Sequence, residues 1–281
     1  MTMAAKRAVS PHFLGRFFGT LFASFAQLVR SPSHSRRAEA GRRAARHALW
    51  LTAGLGAVII ALMYLIDAAE IRLMPPRGTP SLWWVRILTD FGKTLYVGWT
   101  LFGLMAIVLI ASAAARGTAR SLLLGLGTRL QFLFFAVVTP ALVGDVLKWV
   151  AGRGRPFVGG EANPFNFRHF IGGEAFASFP SGHANTAFAL AFAVSALWPQ
   201  TRLVMLAYAL IICATRLVLL AHHPSDVVAG ALLGVIGAMI VRYWFAARRL
   251  GFAIERDGTI VALPGPSLER LKRVARGAPG P

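Results

Sequence analysis

The stretch "TLYVGWTLFGLMAIVLIASAA", residues 94–114, contains twenty-one residues and no charged side chain. A helix needs about 20 mostly apolar residues to cross the roughly 30 Å hydrocarbon core of a bilayer. This stretch therefore predicts a membrane-spanning helix. Five further apolar segments predict additional spans, and they lie near residues 48–66, 126–147, 183–198, 203–221 and 226–246. We therefore predict an all-α, polytopic membrane protein built as a bundle of six transmembrane helices.

The composition agrees with a membrane protein. Hydrophobic residues occupy 56% of the 281 positions, the mean hydropathy is +0.59, and only 15% of the residues are charged. In a typical soluble domain about a quarter of the residues are charged. The single cysteine, Cys213, lies inside an apolar run, which excludes internal disulfides and cysteine metal sites.

The basic residues flank the apolar segments, and this placement bears on partners and topology. The net charge of +19 favours contact between basic cytoplasmic segments and anionic lipid headgroups, and we expect no nucleic-acid partner. Twenty-one lysines and arginines lie on the side that holds both termini, and nine lie on the other side. Because cytoplasmic loops carry the excess of positive charge, we expect cytoplasmic termini in a bacterial inner membrane. The other side then faces the periplasm.

The distribution of apolar and basic segments divides the chain into three parts. Residues 1–46 form a basic cytoplasmic segment, residues 47–246 the six-span domain, and residues 247–281 a basic cytoplasmic tail that we expect to be partly disordered. Within the first part, residues 11–30 are predicted to form an amphipathic helix, which lies on the membrane surface or packs on the membrane domain. Residues 31–46 are predicted to be a basic linker. The sequence gives no oligomeric state.

Polar residues gather at one end of the predicted bundle. The third and fifth spans end on the outer side, where the fourth and sixth spans begin. The polar side chains and turns at these points belong to Lys148, Arg155, Ser181, Gly182, His183, Arg216, His222 and Asp226. Each cation alone is typical of ordinary anchoring at the membrane interface. Together with two histidines and an aspartate at the same end, they predict one outward-facing pocket.

This set of residue types suits a phosphate group. Arginine offers a planar fork of donors to phosphate oxygens, and backbone N–H groups at a helix N-terminus can bind an anion. Ser181 and Gly182 are predicted to supply such N–H groups. One histidine can attack phosphorus while another protonates the leaving oxygen. Asp226 follows His222 by four residues, so it can reach that imidazole across one helical turn and orient it.

Three motifs resemble those of the type 2 phosphatidic acid phosphatase (PAP2) superfamily. "KWVAGRGRP", residues 148–156, resembles the KX6RP motif, and "PSGH", residues 180–183, resembles the PSGH motif. "TRLVLLAHHPSD", residues 215–226, resembles the SRX5HX3D motif, with Thr215 in place of the usual serine. All three occur in order with their internal spacings intact, and the family's six-helix membrane fold matches the predicted spans.

The resemblance implies a role for each matching residue. His222 would be the nucleophile that forms a phosphohistidine, Asp226 would orient it, and His183 would be the general acid and then the base. The phosphoryl oxygens would be held by Lys148, Arg155, Ser181, Gly182 and Arg216. The family's lipid phosphatases need no metal or other cofactor. His223 lacks the family spacing, so we assign it to the rim of the pocket or to no role.

The predicted function is a membrane lipid phosphatase with its pocket on the periplasmic face. Candidate substrates are undecaprenyl pyrophosphate, lipid A, phosphatidylglycerophosphate and phosphatidic acid. We favour undecaprenyl pyrophosphate, with lipid A next. A lipid-to-lipid phosphotransferase using the same site is the alternative. An inactive scaffold is disfavoured because His183, His222 and Asp226 are all present, and the predicted spans argue against the soluble vanadium haloperoxidases. The phenylalanine-rich loop 157–179 either borders a lipid entrance or packs on the membrane surface.

Overall fold

The computed structural model describes residues 11–255 and 257–265. Over these residues the chain forms nine α-helices and one two-stranded antiparallel sheet. The helices are α1 (Pro11–Val29), α2 (His34–Leu65), α3 (Asp67–Leu73), α4 (Trp83–Thr89), α5 (Thr94–Ala114), α6 (Gly117–Ala151), α7 (Gly182–Leu197), α8 (Arg202–Val218) and α9 (Pro224–Ala247), and the strands are β1 (Phe252–Ile254) and β2 (Ile260–Ala262). Short 3₁₀ turns occupy Pro80–Leu82, Asp90–Gly92, Glu174–Phe176 and Pro199–Thr201.

The helices confirm the predicted membrane bundle. Among the described residues, five helical segments are long and apolar enough to cross a bilayer: α2, α5, α6, α8 with its preceding turn, and α9. The remaining predicted span, α7, has sixteen residues, which corresponds to about 24 Å of helix. The short fourth span agrees with the sequence pattern, and α7 is the helix that the others surround.

Small residues place α7 at the centre of the bundle, where it packs against α6, α8 and α9. Ala184, Ala187, Ala189 and Ala193 are fully buried on α7, and small side chains let membrane helices approach closely. The facing surface of α9 is also built from small residues. The contact is closest at Gly230, where a Cβ atom would collide with the backbone oxygen of Ser181.

The same close approach continues along α9. A Cβ atom on Gly234 would collide with the backbone oxygen of Asn185, and one on Gly237 would collide with the ring of Pro140 in α6. These glycines therefore let α9 lie against both α7 and α6. The start of α9 is thereby held beside the start of α7.

The N-terminal part of the chain differs from its prediction in one respect. The amphipathic helix is present as α1 and packs against α5, while Phe18, Phe22 and Phe25 remain exposed. It thus packs on the bundle and leaves an apolar face exposed. The predicted linker 31–46 was wrong, because its residues from His34 onward are the first turns of α2. Alanine, arginine and glutamate favour helix there.

The tail was also predicted incorrectly in part. Phe252, in β1, is fully buried and lies 4.7 Å from Phe132 of α6 between ring centroids. The core therefore extends past the predicted boundary at residue 246, since the hairpin buries an aromatic ring against the bundle. The remainder of the predicted tail, residues 266–281, and the first ten residues of the N-terminal segment lie outside the described part of the chain.

The two ends of the described chain meet on one side of the bundle. Arg30 donates to the backbone oxygen of Arg248 (2.7 Å), and Arg43 donates to that of Asp257 (3.0 Å). Trp244 near the end of α9 also donates to the backbone oxygen of Leu28 (3.1 Å). The opposite side carries the end of α6 and the beginnings of α7 and α9.

Candidate active site

A cavity of about 430 Å³ opens at the end of the bundle opposite the side where Arg30 meets Arg248 and Arg43 meets Asp257. The end of α6, the first turn of α7, the end of α8 and the α8–α9 connection surround it, together with the loop that links α6 to α7. Six of the eight residues predicted for the site line this cavity, namely Lys148, Arg155, Gly182, His183, Arg216 and His222. The three separated motifs therefore meet at one place.

The other two predicted residues, Ser181 and Asp226, are buried behind the cavity wall. The backbone N–H of Ser181 donates to the backbone oxygen of Asp226 (3.0 Å). The prediction that this N–H faces a phosphate was therefore wrong, because the contact between α7 and α9 already uses it. Gly182 is the first residue of α7, and the N–H groups of a first helical turn have no acceptor within the helix. It is the predicted backbone donor that does line the cavity.

His222 lies in the α8–α9 connection and is only 3% exposed. Its Nδ1 atom is 2.8 Å from the backbone oxygen of Ser178. A carbonyl oxygen only accepts hydrogen bonds, so Nδ1 carries the proton and Nε2 keeps a lone pair. Burial lowers the pKa of His222 to about 4, although the carboxylate of Asp226 partly opposes this effect. The imidazole is therefore neutral at neutral pH, as a nucleophile must be.

The position of Asp226 differs from the expected one. Its nearer carboxylate oxygen, Oδ2, is 3.8 Å from Nδ1 of His222, which is too long for a hydrogen bond. Oδ2 instead accepts hydrogen bonds from the hydroxyl of Ser178 (2.5 Å) and from the backbone N–H of His223 (2.9 Å). Asp226 therefore reaches His222 through Ser178, a residue that the spacing of the motifs does not indicate.

His223 does not line the cavity, so its predicted place at the rim was wrong. It is fully buried, and its Nδ1 is 3.0 Å from Oδ2 of Asp226. The backbone N–H of His223 donates to the same carboxylate oxygen (2.9 Å), so Asp226 caps the first turn of α9. His222 and His223 thus point to opposite sides of the same turn: the first toward the cavity, and the second into the protein behind Asp226.

His183 stands in the first turn of α7, one residue after Gly182. Its Nε2 atom is buried and has no hydrogen-bond partner among the described residues. The loop before α5 packs against this ring, since a Cβ atom on Gly92 would lie 3.3 Å from Cδ2 of His183. The second histidine of the cavity is therefore held by packing and not by a hydrogen bond to Nε2.

The three cations reach the cavity from three different elements. Lys148 Nζ lies 2.7 Å from Oδ1 of Asp145, one turn earlier on α6. Arg155 donates from Nε to the backbone oxygen of Glu174 (2.8 Å), which fixes its guanidinium against the α6–α7 loop. Burial lowers the pKa of Arg155, but an arginine side chain stays charged at neutral pH. The cavity is thus a positively charged site at the edge of the membrane domain.

Arg216 is held by a residue that the sequence did not indicate. Its NH1 group donates to the hydroxyl of Thr89 (2.9 Å), at the end of α4. The hydroxyl of Thr215 lies 3.0 Å from the same Thr89 oxygen and 2.6 Å from the backbone oxygen of Ile212. The threonine that replaces the usual serine therefore makes hydrogen bonds that a serine hydroxyl would also make.

A buried ionic network behind the cavity was also missed. Arg153 is fully buried between Asp67 and Asp226, at 2.8 and 2.6 Å. Neither Arg153 nor Asp67 was among the residues predicted for the site. A signal was present, because Asp67 is one of only eleven acidic residues and directly follows an apolar span. Such a carboxylate at a membrane boundary usually has a partner.

The described residues contain no group of three or more histidine, cysteine, aspartate or glutamate side chains arranged to hold a metal ion. The side-chain nitrogens that face the cavity belong to Lys148, Arg155, Arg216, His183 and His222. These cationic and imidazole groups fit a bound anion, although two acidic side chains, Asp145 and Glu174, also line the cavity.

Comparison with known proteins identifies a family and several relatives. Residues 129–250 match the PAP2 superfamily. A lipid A 1-phosphatase of Rhizobium johnstonii is 33% identical over 245 residues, which cover 85% of this chain and 95% of that protein. A lipid A 1-phosphatase of Rhizobium etli is 37% identical over 127 residues, covering 45% of this chain and 55% of that protein.

A more distant match comes from another bacterium. The bacitracin transport permease protein BcrC of Bacillus licheniformis is 30% identical over 117 residues, covering 42% of this chain and 55% of that protein. No solved structure matches the chain. With one relative matched over nearly its whole length and the three motifs joined in one cavity of a helical membrane bundle, the chain belongs to the PAP2 superfamily, as a bacterial membrane lipid phosphatase.

Proposed function

We propose that the protein is a lipid A phosphatase that removes the 1-phosphate. The observation that supports this most directly is the 33% identity to a lipid A 1-phosphatase over 95% of that protein's length. A second relative bears the same name. Undecaprenyl pyrophosphate, the substrate favoured by the sequence analysis, receives no support from these names, so lipid A takes its place.

The first chemical step is an attack by Nε2 of His222 on the phosphorus atom. A bond forms between nitrogen and phosphorus, and the bond between phosphorus and the leaving oxygen breaks. His183, in its protonated form, gives its proton to that oxygen. The negative charge of a bound phosphate favours the protonated form of a nearby imidazole.

The second step releases phosphate. Neutral His183 takes a proton from a water molecule, and the oxygen of that water attacks the phosphorus atom of the phosphohistidine. The nitrogen–phosphorus bond breaks, inorganic phosphate leaves, and His222 is again neutral. Throughout both steps Lys148, Arg155 and Arg216 stabilise the charge on the phosphoryl oxygens, with the N–H of Gly182 as a further donor.

Aromatic side chains around the cavity support a lipid substrate. Trp149 and Phe176 line the cavity, and Phe170 is 59% exposed while its ring centroid lies 5.0 Å from that of Trp149. Aromatic rings are common at membrane–water interfaces. Of the two predicted roles for the α6–α7 loop, a border to the lipid entrance is the one that this arrangement favours.

The periplasmic orientation of the site is part of the proposal. Both described ends of the chain meet at the end of the bundle opposite the cavity. The excess of lysine and arginine lies at that end, which favours a cytoplasmic location for it in the inner membrane. Basic residues there are also suited to anionic lipid headgroups.

The test is a phosphate-release assay with purified protein in nanodiscs. The substrates are lipid A with only the 1-phosphate, lipid A with only the 4′-phosphate, undecaprenyl pyrophosphate, phosphatidylglycerophosphate and phosphatidic acid, with His222→Ala as the inactive control. We expect efficient release from the 1-phosphate form alone. Release from undecaprenyl pyrophosphate with none from lipid A would overturn the proposal.

The phosphotransferase alternative is tested in the same assay with a radiolabelled phosphate. Hydrolysis places the label in inorganic phosphate. Transfer places it in an acceptor lipid, which thin-layer chromatography separates from the substrate. Label found in an acceptor lipid would replace hydrolysis by transfer while leaving His222 as the nucleophile.

A further inference from the structure

The guanidinium of Arg153 joins three parts of the chain behind the active-site cavity. NH1 donates to Oδ1 of Asp226 (2.6 Å) and to the hydroxyl of Ser225 (2.6 Å), and NH2 donates to Oδ2 of Asp67 (2.8 Å). Nε donates to the backbone oxygen of Pro164 (2.9 Å). All the donor nitrogens of this buried side chain are therefore used, and none is left to bind phosphate.

Asp67 ties the end of the first span to the start of α9. Besides the contact with Arg153, its Oδ1 accepts the backbone N–H of Ser225 (3.0 Å) and its Oδ2 accepts the Ser225 hydroxyl (2.5 Å). Ser225 immediately precedes Asp226. The carboxylate of Asp67 thus fixes the backbone at Ser225, directly before Asp226.

The charges of this network matter as well as its geometry. Arg153 carries one positive charge between two fully buried carboxylates, those of Asp67 and Asp226. Without Asp67, the charge of Asp226 would be fully matched by Arg153. With Asp67 present, the three groups carry a net charge of −1, and Oδ2 of Asp226 lies 3.8 Å from Nδ1 of His222. Burial strengthens charge interactions over such a distance.

Ser178 connects this network to the imidazole. Its N–H donates to the backbone oxygen of Arg153 (3.0 Å), and its hydroxyl donates to Oδ2 of Asp226 (2.5 Å). With both donors fixed, its carbonyl oxygen is held 2.8 Å from Nδ1 of His222. The hydrogen bond that sets the tautomer of His222 therefore depends on Arg153 and Asp226 together.

We propose that Asp67 and Ser178 are positioning residues for His222: Asp67 fixes Asp226 through Arg153 and Ser225, and Ser178 carries that placement to Nδ1 of the imidazole. The inference rests on the proposed role of His222 as the nucleophile and is independent of which lipid supplies the phosphate. Neither residue lines the cavity, so both act on the imidazole and not on the substrate.

The test compares Asp67→Asn and Ser178→Ala with a matched control, Glu70→Gln. Glu70 lies one turn after Asp67 on α3, is buried, and has no hydrogen-bond partner among the described residues. We expect kcat to fall by about 100-fold in the two test variants, as displaced catalytic groups do. KM should change by less than about twofold, because binding contacts are intact. Glu70→Gln should keep the wild-type kcat.

The double variant separates positioning from general destabilisation. If Asp67 and Ser178 act through the same imidazole, the loss of kcat in the double variant is close to that of the worse single variant. Two independent structural defects would multiply instead. The proposal would be overturned if the increases in the free energy of activation of the two single variants add up in the double variant. It would also be overturned if both single variants have the same kcat as Glu70→Gln.

A second measurement does not require activity. ¹⁵N NMR of histidine-labelled protein reports which ring nitrogen of His222 carries the proton, and His222→Gln identifies its signals among the seven histidines. We expect the Nδ1–H tautomer in the wild type and a mixture in Ser178→Ala and Asp67→Asn. An unchanged tautomer in the variants would refute the positioning role. If Asp67→Asn is too unstable to measure, the spectrum of Ser178→Ala alone decides the question. If no lipid is hydrolysed, the proposed function fails and the NMR result still decides this inference.

Discussion

Gly182 and Lys148 approach so closely that a methyl group on Gly182 would lie 3.1 Å from the ammonium nitrogen of Lys148. That separation is tighter than ordinary van der Waals contact, so the lysine would have to move. Gly182 thus does more than begin α7, since its missing side chain leaves room for a cation beside the first turn of the helix.

Gly182→Ala is expected to weaken substrate binding. The flexible end of Lys148 has to move by only a few tenths of an ångström. This weakens one charge-assisted hydrogen bond, worth about 1.5–3 kcal/mol, without abolishing it. We therefore expect KM for the lipid phosphate to rise by up to about 10-fold. The control is Gly98→Ala in α5, where no atom lies within 4 Å of the added methyl group. Equal KM values in the two variants would contradict the role of this contact.

The two adjacent histidines are expected to respond differently to replacement by alanine. His222→Ala removes the nucleophile and should abolish phosphate release. His223→Ala removes a buried hydrogen bond to Asp226, which is worth about 1.5–3 kcal/mol when the acceptor is charged. We expect it to keep a measurable fraction of kcat. Equal losses in steady-state assays of the two variants would show that the nucleophile is misassigned.

The protonation of His222 can be measured directly. Burial lowers its pKa to about 4, below the ordinary 6.5, so the folded protein resists protonation at this site. Stability from the neutral imidazole is present above pH 6.5 and is lost as the pH falls toward 4. We expect its ¹⁵N signals to titrate near pH 4. A midpoint near pH 6.5 would show that the ring is solvated and not buried in this way.

Glu70 gives the opposite dependence of stability on pH. Burial, together with the charge of Asp67, raises its pKa to about 7 from 4.5. The folded protein then binds more protons than the unfolded chain between these values, so its stability falls as the pH rises. A tenfold change in proton affinity corresponds to about 1.4 kcal/mol, so the full shift would correspond to roughly 3.5 kcal/mol, and solvent screening reduces this value. Glu70→Gln should therefore be more stable than wild type by on the order of 2 kcal/mol at pH 8.

The measurement for Glu70 is the unfolding temperature in detergent at pH 5 and at pH 8. The advantage of Glu70→Gln should be large at pH 8 and small at pH 5. A constant advantage at both pH values would mean that packing of the amide, and not removal of the charge, causes it.

Inhibitors test the nature of the chemistry. The catalytic groups proposed for this site are two imidazoles and the groups that bind the phosphoryl oxygens, so EDTA should leave phosphate release unchanged. Vanadate, which mimics a phosphoryl group in transfer, should inhibit by occupying the same cations. A loss of activity in EDTA that added divalent metal restores would contradict the proposed mechanism.

Much of the bundle and most of the cavity could be predicted from local sequence. Apolar segments of sufficient length indicate spans, and the spacings within 148–156 and 215–226 place charged side chains at span ends. Antiparallel packing of consecutive spans then brings those ends together. Six of the eight predicted site residues consequently line the cavity.

Contacts between distant residues decided the rest. Asp67 and Arg153 are eighty-six positions apart, and no local periodicity connects them. The backbone N–H of Ser181 donates to the backbone oxygen of Asp226 in α9. The carboxylate of Asp226 forms hydrogen bonds with Arg153, Ser178 and His223. These partners depend on how closely α7 and α9 approach.

That the chain spans a membrane, and which residue types gather at the end with the cavity, could be predicted from hydrophobic length and short-range spacing. The group that holds His222 could not be predicted in this way, because it depends on contacts between distant helices. The close contact at Gly230 brings Ser181 against Asp226, and the buried pair of Arg153 and Asp226 leaves the carbonyl oxygen of Ser178 as the acceptor for Nδ1. A buried charge forms hydrogen bonds with the polar groups that packing places next to it, and that packing involves helices from the whole bundle.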